Sequence, residues 1–152
     1  MRILLIPGSG AGGNLWQYQA SFFKEAKGVS LPGHPEGQPK NSIPEYVAWL
    51  HEYACDKRYK DFILGGHSLG GGIAQLYALT YPSDLKALIL IGTGARLRVL
   101  PDTLSMLRTM IGDESAWRKF IEATPQPKDP VLISIRETRY KIGPAVMLND
   151  LL

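Results

Sequence analysis

Three short apolar runs and a weaker fourth constrain this chain more than any other feature. Each is cut off by glycine or a turn, and long segments of mixed polarity separate them. Ile3–Ile6 stops at Pro7-Gly8, Phe62–Leu64 runs into Gly65-Gly66, and Leu85–Ile91 ends at Gly92-Thr93-Gly94. The weaker run, Gly28–Leu31, closes on Pro32-Gly33-His34-Pro35. Unbroken apolar runs of this length suit strands of a parallel sheet, covered on both faces. The intervening segments read as helices. One is expected from about Leu15 to Glu25, with Trp16, Gln19 or Ala20, and Phe23 near one face. A second begins at Ser42, an N-cap with Glu45 three residues later, and carries Ile43, Tyr46, Val47, Leu50 and Ala54 at helical spacing. A third runs from Leu69 to Leu79 and is stopped by Tyr81-Pro82. The order is β-α-β-α-β-α-β, with crossovers long enough for right-handed parallel connections. This is an α/β chain with a doubly wound, mostly parallel sheet.

From about Val99 the pattern changes. Leu100–Met110, Ser115–Ala123, Val131 to about Lys141 and the tail after Gly143-Pro144 all have helical texture, and no strand is expected after Ile91. Thr124–Pro130, with three prolines, breaks that run. The expected division is therefore residues 1–98, sheet-forming, and residues 99–152, a helical segment laid over the sheet and left unfinished. Leu148, Leu151 and Leu152 are expected to leave apolar surface for a partner.

Composition narrows the function classes. Hydrophobic content of 45 % against 20 % charged residues fits a chain with a packed core. The net charge of +3 is scattered rather than clustered, which argues against a nucleic-acid surface; Arg96 and Arg98 read as ordinary surface charges. The single cysteine, Cys55, excludes an internal disulfide and suits a reducing compartment, so the cytoplasm is the default expectation. The apolar run of four near the start is too short for a membrane span. No Cys/His clustering suggests a metal, and no cofactor is expected.

The chemistry-bearing element is Gly66-His67-Ser68-Leu69-Gly70, a G-x-S-x-G pattern set between a predicted strand and a predicted helix. A sharp turn there would present the Ser68 hydroxyl at the carboxyl edge of the sheet, beside the positive end of a helix. Attack on a carbonyl builds negative charge on oxygen, which needs rigid N–H donors. The N–H of Leu69 is one candidate. A second is Ser9 or Gly10, in the loop Gly8-Ser9-Gly10-Ala11-Gly12-Gly13-Asn14, where four glycines let the backbone come close. Two plainer readings stand beside this one. Ser68 could simply cap the helix. Gly8, Gly10 and Gly13 also have the spacing of a dinucleotide loop, but Ser30 occupies the place of the expected acidic residue and no G-K-[ST] follows.

With these residues in view, the chain resembles the α/β-hydrolase superfamily, in the branch with a helical cap. Pro7-Gly8-Ser9-Gly10 with Trp16 resembles that family's oxyanion loop, with Pro7 in place of the usual histidine. Ser30-Leu31-Pro32-Gly33-His34 resembles its Asp-x-Pro-Gly-His turn, with Ser30 for aspartate and Pro35 for the following glycine. Gly66–Gly71 resembles its nucleophile elbow. The resemblance implies an incomplete α/β-hydrolase core with the start of a cap. It also implies a serine esterase in which Ser68 is the nucleophile and the Ser9 and Leu69 N–H groups hold the oxyanion. Gly8, Gly10 and His67 are then expected to border the substrate. Leu104, Met106, Leu107 and Trp117 are expected either to line an apolar acyl pocket or to pack as cap core. The substrate would be a small-molecule carboxylic ester or similar acyl compound. The family's Asp and His would lie beyond Leu152, on a C-terminal fragment of the same protein, because His34, His51 and His67 are poor substitutes. A non-catalytic binding or interaction protein on the same scaffold is the alternative.

Overall fold

A computed structural model describes residues 1–152 apart from Leu97 and Thr124. Its strands are β1 (Ile3–Ile6), β2 (Ala26–Gly28), β3 (Phe62–His67) and β4 (Leu85–Ile91). Its helices are α1 (Gln17–Phe22), α2 (Ile43–Asp56), α3 (Leu69–Thr80), α4 (Pro101–Met110), α5 (Glu114–Glu122) and α6 (Pro130–Leu151). The four strands form one parallel sheet in the order β2-β1-β3-β4. The chain steps from β1 outward to β2, then crosses back over β1 to β3. The direction of winding therefore reverses between β1 and β3. In open α/β sheets ligands sit at that reversal, outside the carboxyl ends of the strands. Those ends carry the loop after Ile6 and the residue after His67.

The main core forms where the apolar positions of α2 and α3 meet the sheet. Leu4, Ile6, Leu50, Phe62, Leu64, Ile73 and Tyr77 are all fully buried. Burial of each such side chain is worth roughly 1.5–3 kcal/mol against exposure, before the entropy of ordering it. The start of α2 follows the capping expectation. Ser42 has extended backbone, its hydroxyl accepts from the Glu45 N–H at 3.4 Å, and the Glu45 carboxylate accepts from the Asn41 N–H at 3.2 Å. A second apolar cluster gathers Leu107, Met110, Trp117, Ile121 and Leu148 from α4, α5 and α6. Asp113 and Asp129 cap α5 and α6 by accepting backbone N–H groups at 2.9 and 2.8 Å. Gly143 interrupts α6 with φ 80° and ψ 167°, so the tail after Gly143-Pro144 is a separate helical piece, as expected.

Four sequence expectations shift. The helix expected over 15–25 is a 3-10 turn at Gly13–Trp16 followed by the six-residue α1. Trp16 is buried, but Phe23 is about half exposed, so no continuous apolar face forms. The strand expected at Gly28–Leu31 lies two residues earlier, because β1 is only four residues long and Ile3–Leu5 pair with Ala26–Gly28. Val29 and Leu31 are buried beyond the strand instead. Leu148 packs in the second cluster with Leu151 against it, leaving only Leu152 of the three exposed. In the break expected over Thr124–Pro130, Thr124 lies outside the described residues, and Pro130 already begins α6.

β4 is an edge strand of unusual character. Leu88, Ile89, Leu90 and Ile91 are each 37–44 % exposed, so both of its faces meet solvent. A long apolar edge strand is a template for further pairing. Among the described residues, no helix is long and apolar enough to cross a membrane.

Candidate active site

Ser68 sits between the last residue of β3 and the first of α3, with φ 53° and ψ −118°. A non-glycine residue there carries strain of about 1–3 kcal/mol, which the surroundings must hold in place. They do so by close contact. A Cβ on Gly66 would lie 2.1 Å from the Gly70 carbonyl oxygen, and one on Gly70 would lie 2.4 Å from those of Ile6 and Pro7. Only glycine permits that approach of β1, β3 and α3. The Ser68 N–H donates to the Ile91 carbonyl at 3.1 Å, and the Thr93 hydroxyl donates to the Ser68 carbonyl at 3.0 Å. The corner is thus clamped from β4 as well. The Ser68 hydroxyl makes no capping bond to α3, which removes the plain helix-cap reading.

The loop after β1 lies alongside. A Cβ on Gly8 would be 3.1 Å from the Ser68 Cβ and 3.0 Å from His67 Nδ1. The His67 ring fits between Gly8 and Gly92, and its buried Nδ1 has no partner among the described residues. Among those residues the N–H groups of Ser9 and Leu69 also have no acceptor. Ser30, which stands where the dinucleotide reading requires an acid, accepts the Gly13 N–H at 2.8 Å and so steadies this loop. A cleft of about 1060 Å³ opens beside Ser68, lined by Ile43, Tyr46, Leu69, Leu76 and Thr93 among others. The four helical residues expected as pocket or core lie in the second apolar cluster: Leu107 and Trp117 are buried there, with Leu104 and Met106 packed against them.

Sequence reasoning misses a buried polar network. His34 and Asp150 form an ion pair at 2.8 Å through Nε2 and Oδ2, with both side chains fully buried. Asp150 Oδ2 also accepts the Ser9 hydroxyl at 2.7 Å, and Oδ1 accepts the Tyr46 hydroxyl at 3.0 Å. His34 Nδ1 lies 3.1 Å from the Pro32 carbonyl oxygen, which can only accept, so Nδ1 carries a proton. Burial first, and then the Asp150 charge, push the Tyr46 hydroxyl well above its usual range, so it remains a donor. A buried His–Asp pair of this kind is consistent with catalytic residues, yet both ring nitrogens of His34 are committed within the network. No local pattern points to it, since the partners lie 104 to 141 residues apart.

A family model described as the alpha/beta hydrolase fold matches residues 2–140. The monoacylglycerol lipase ABHD6 of Rattus norvegicus is 28 % identical over 158 residues, covering 95 % of this chain and 46 % of that protein. The pimeloyl-[acyl-carrier protein] methyl ester esterase of Pseudoalteromonas atlantica is 32 % identical over 98 residues, covering 62 % of this chain and 38 % of that protein. Among solved structures, an esterase from Exiguobacterium antarcticum superposes with a TM-score of 0.77 at 19 % identity, covering 99 % of this chain and 65 % of its own. A thermophilic esterase does so at 0.75 and 31 % identity, with 99 % and 58 % covered. The chain spans about half the length of the lipase relatives it matches. A family match over nearly the whole length, on a sheet that winds as these esterases do, makes the chain a member of the α/β-hydrolase superfamily.

Proposed function

We propose that this chain carries the nucleophile-bearing part of a serine hydrolase that cleaves a small-molecule carboxylic ester through an acyl-enzyme. The observation that carries the reading is Ser68: a strained serine at a strand-to-helix corner whose hydroxyl caps nothing. In the proposed reaction its Oγ attacks the ester carbonyl carbon, and the oxyanion lies against the N–H groups of Ser9 and Leu69. Collapse expels the alcohol, which takes up a proton, and water then attacks the acyl carbon to release the acid and restore Ser68. The proton must pass through a base. His34 does not fit that role, with one ring nitrogen on a carbonyl and the other on Asp150. The reading therefore assigns the base histidine and its aspartate to a C-terminal segment of the same protein, whose strands would add to the open edge of β4. The exposed apolar row Leu88–Ile91 and the greater length of the relatives support that assignment. Residues 1–98 then serve as core and 99–152 as cap, in keeping with the two separate apolar clusters. A reducing cytoplasm suits the free thiol of Cys55.

The test is fluorophosphonate labelling of the full-length protein, with the modified residue mapped by mass spectrometry. Labelling at Ser68, lost in Ser68→Ala together with hydrolysis of a short acyl ester, is the expected result. A wild-type protein that neither labels nor hydrolyses is a binding or interaction module on this scaffold, and the proposal fails.

A further inference from the structure

The buried carboxylate of Asp150 has no part in the reaction just described, yet it touches the loop that would hold the oxyanion. We infer that Asp150, fixed by His34 and Tyr46, is a positioning residue: by accepting the Ser9 hydroxyl it sets the main chain of the loop after β1 and couples oxyanion binding to the seating of α6. The inference rests on the reading of Ser68 as nucleophile.

Burial makes the contact costly to hold unless it is complete. A carboxylate with no solvent exposure needs its charge matched and its lone pairs filled. Asp150 has the His34 ring on Oδ2, the Ser9 hydroxyl on the same oxygen and the Tyr46 hydroxyl on Oδ1. Each donor belongs to a different element: the turn after β2, the loop after β1, and α2. The carboxylate thus ties three elements of the sheet half to the last turn of α6. Further contacts along the same loop come from both helical pieces of α6. The Asn14 amide donates to Ser134 and Thr138 at 2.9 Å each, and Arg139 Nε donates to the Gly10 carbonyl at 3.3 Å. Gly10 has φ 72° and lies so close to Met147 that a Cβ there would be 2.7 Å from its Sδ. Next to Asp150, the Asn149 amide donates to the Lys40 carbonyl at 2.7 Å. A glycine-rich loop has little rigidity of its own. Here α6 adds to the hold that Ser30 already has on the loop, and the Ser9–Asp150 bond acts on the residue whose N–H is assigned to the oxyanion. Preorganised donors stabilise a transition state only while they stay aimed, and a displacement of about 1 Å can cost on the order of a hundredfold in rate.

Ser9→Ala is the cleanest probe, because it keeps the N–H and the buried ion pair while removing the link between them. The full-length enzyme is assayed on a short acyl ester, with rates normalised to sites titrated by a fluorophosphonate. Ser9→Ala is expected to lower kcat per titrated site by about tenfold to a hundredfold, with KM within about twofold, because ester binding does not depend on the oxyanion donors. Asp150→Asn is expected to do the same, and the double variant to lose no more than the worse single one, since both act through one contact. A merely structural role would reduce the number of titratable sites and leave kcat per site unchanged. That result in Ser9→Ala overturns the inference even where Asp150→Asn does not fold. Wild-type protein that fails to label at Ser68 overturns the proposed function itself, and this inference with it.

Discussion

Two histidine–aspartate pairs differ in burial, one fully enclosed and the other partly exposed. His34 and Asp150 meet at 2.8 Å with both side chains inaccessible. His51 and Asp84 meet at 3.1 Å with side chains 30 % and 29 % exposed. The supporting casts are alike. A buried tyrosine donates to each carboxylate, Tyr46 to Asp150 at 3.0 Å and Tyr77 to Asp84 at 2.8 Å. What differs is the remainder of the shell. Around Asp150 three protein donors meet the carboxylate, two on Oδ2 and one on Oδ1. Around the outer pair the His51 ring stacks on Tyr81 at 3.8 Å and Cys55 Sγ lies 3.6 Å from Nε2, with water able to complete the rest. The same two residue types therefore do different work. The inner pair cannot lose a member without stranding a buried polar group, whereas the outer pair can be re-solvated.

The strongest way to break the comparison is to remove each carboxylate. Asp150→Ala leaves the buried His34 Nε2 without its partner and removes the acceptor of Ser9 and Tyr46 together. A destabilisation of about 3–5 kcal/mol is expected in urea unfolding. A loss of under about 1 kcal/mol would mean that the pocket around Asp150 admits water. Tyr46→Phe is the next step down. It keeps the ring and the charge pair but leaves Oδ1 short of a donor in a dry place, at an expected cost of about 1–3 kcal/mol. Equal and negligible shifts in unfolding midpoint for Tyr46→Phe and Tyr77→Phe would erase the distinction.

The inner pair also marks where the sequence stops being legible. β3, β4 and the Ser68 corner can be read because their signals are local: an apolar run, two glycines, a serine, a helix. The strand at Ala26–Gly28 escapes a sequence reading because one alanine, one lysine and one glycine carry almost no strand signal; β1 imposes the pairing. His34 reads as part of a turn, and Asp150 with Asn149 as a polar pair in an apolar tail. Nothing in either neighbourhood announces a partner 116 residues away, because the contact exists only once α6 has folded over the sheet. The pocket residues are blurred for a related reason. Leu107 and Trp117 have the helical spacing of core and of pocket alike, and the packing of α4, α5 and α6 puts them in the second cluster.

Alkaline pH brings the two regions together. Tyr46 and Tyr77 are both pushed well above the ordinary tyrosine value of 10.0, by burial first and then by the adjacent carboxylates. Their folded-state values exceed the unfolded one, so the folded chain keeps protons that the unfolded chain gives up. The stability tied to these hydroxyls is fully present below about pH 10 and is lost as pH rises beyond it. A spectrophotometric titration should show these two tyrosines ionising only as the chain unfolds, with the melting temperature falling steadily above about pH 10. Tyr46→Phe and Tyr77→Phe should each flatten that fall. A melting temperature that is level across this range, with all seven tyrosines titrating together, would show that the hydroxyls are open to water.

The smallest effect belongs to Asp84. Replacing it with alanine takes an acceptor from Tyr77 and a partner from His51, but neither is stranded. Tyr77 keeps His51 Nδ1 within 3.3 Å, His51 keeps its stack on Tyr81, and solvent already reaches the site. Partly exposed pairs of this kind are worth about 0–1 kcal/mol, and added salt should weaken the contribution further. Asp84→Ala is therefore expected to shift the unfolding free energy by no more than about 1 kcal/mol. If it cost as much as Asp150→Ala, exposure would not be what separates the two pairs. The burial of Tyr77 would then control the outcome, because a fully buried ring whose hydroxyl loses its acceptor suffers the desolvation penalty whatever the exposure of its neighbour. Tyr77→Phe combined with Asp84→Ala decides between these accounts. Removing both partners of a buried hydrogen bond restores much of the loss, whereas a cost rooted in the His51 ion pair would persist.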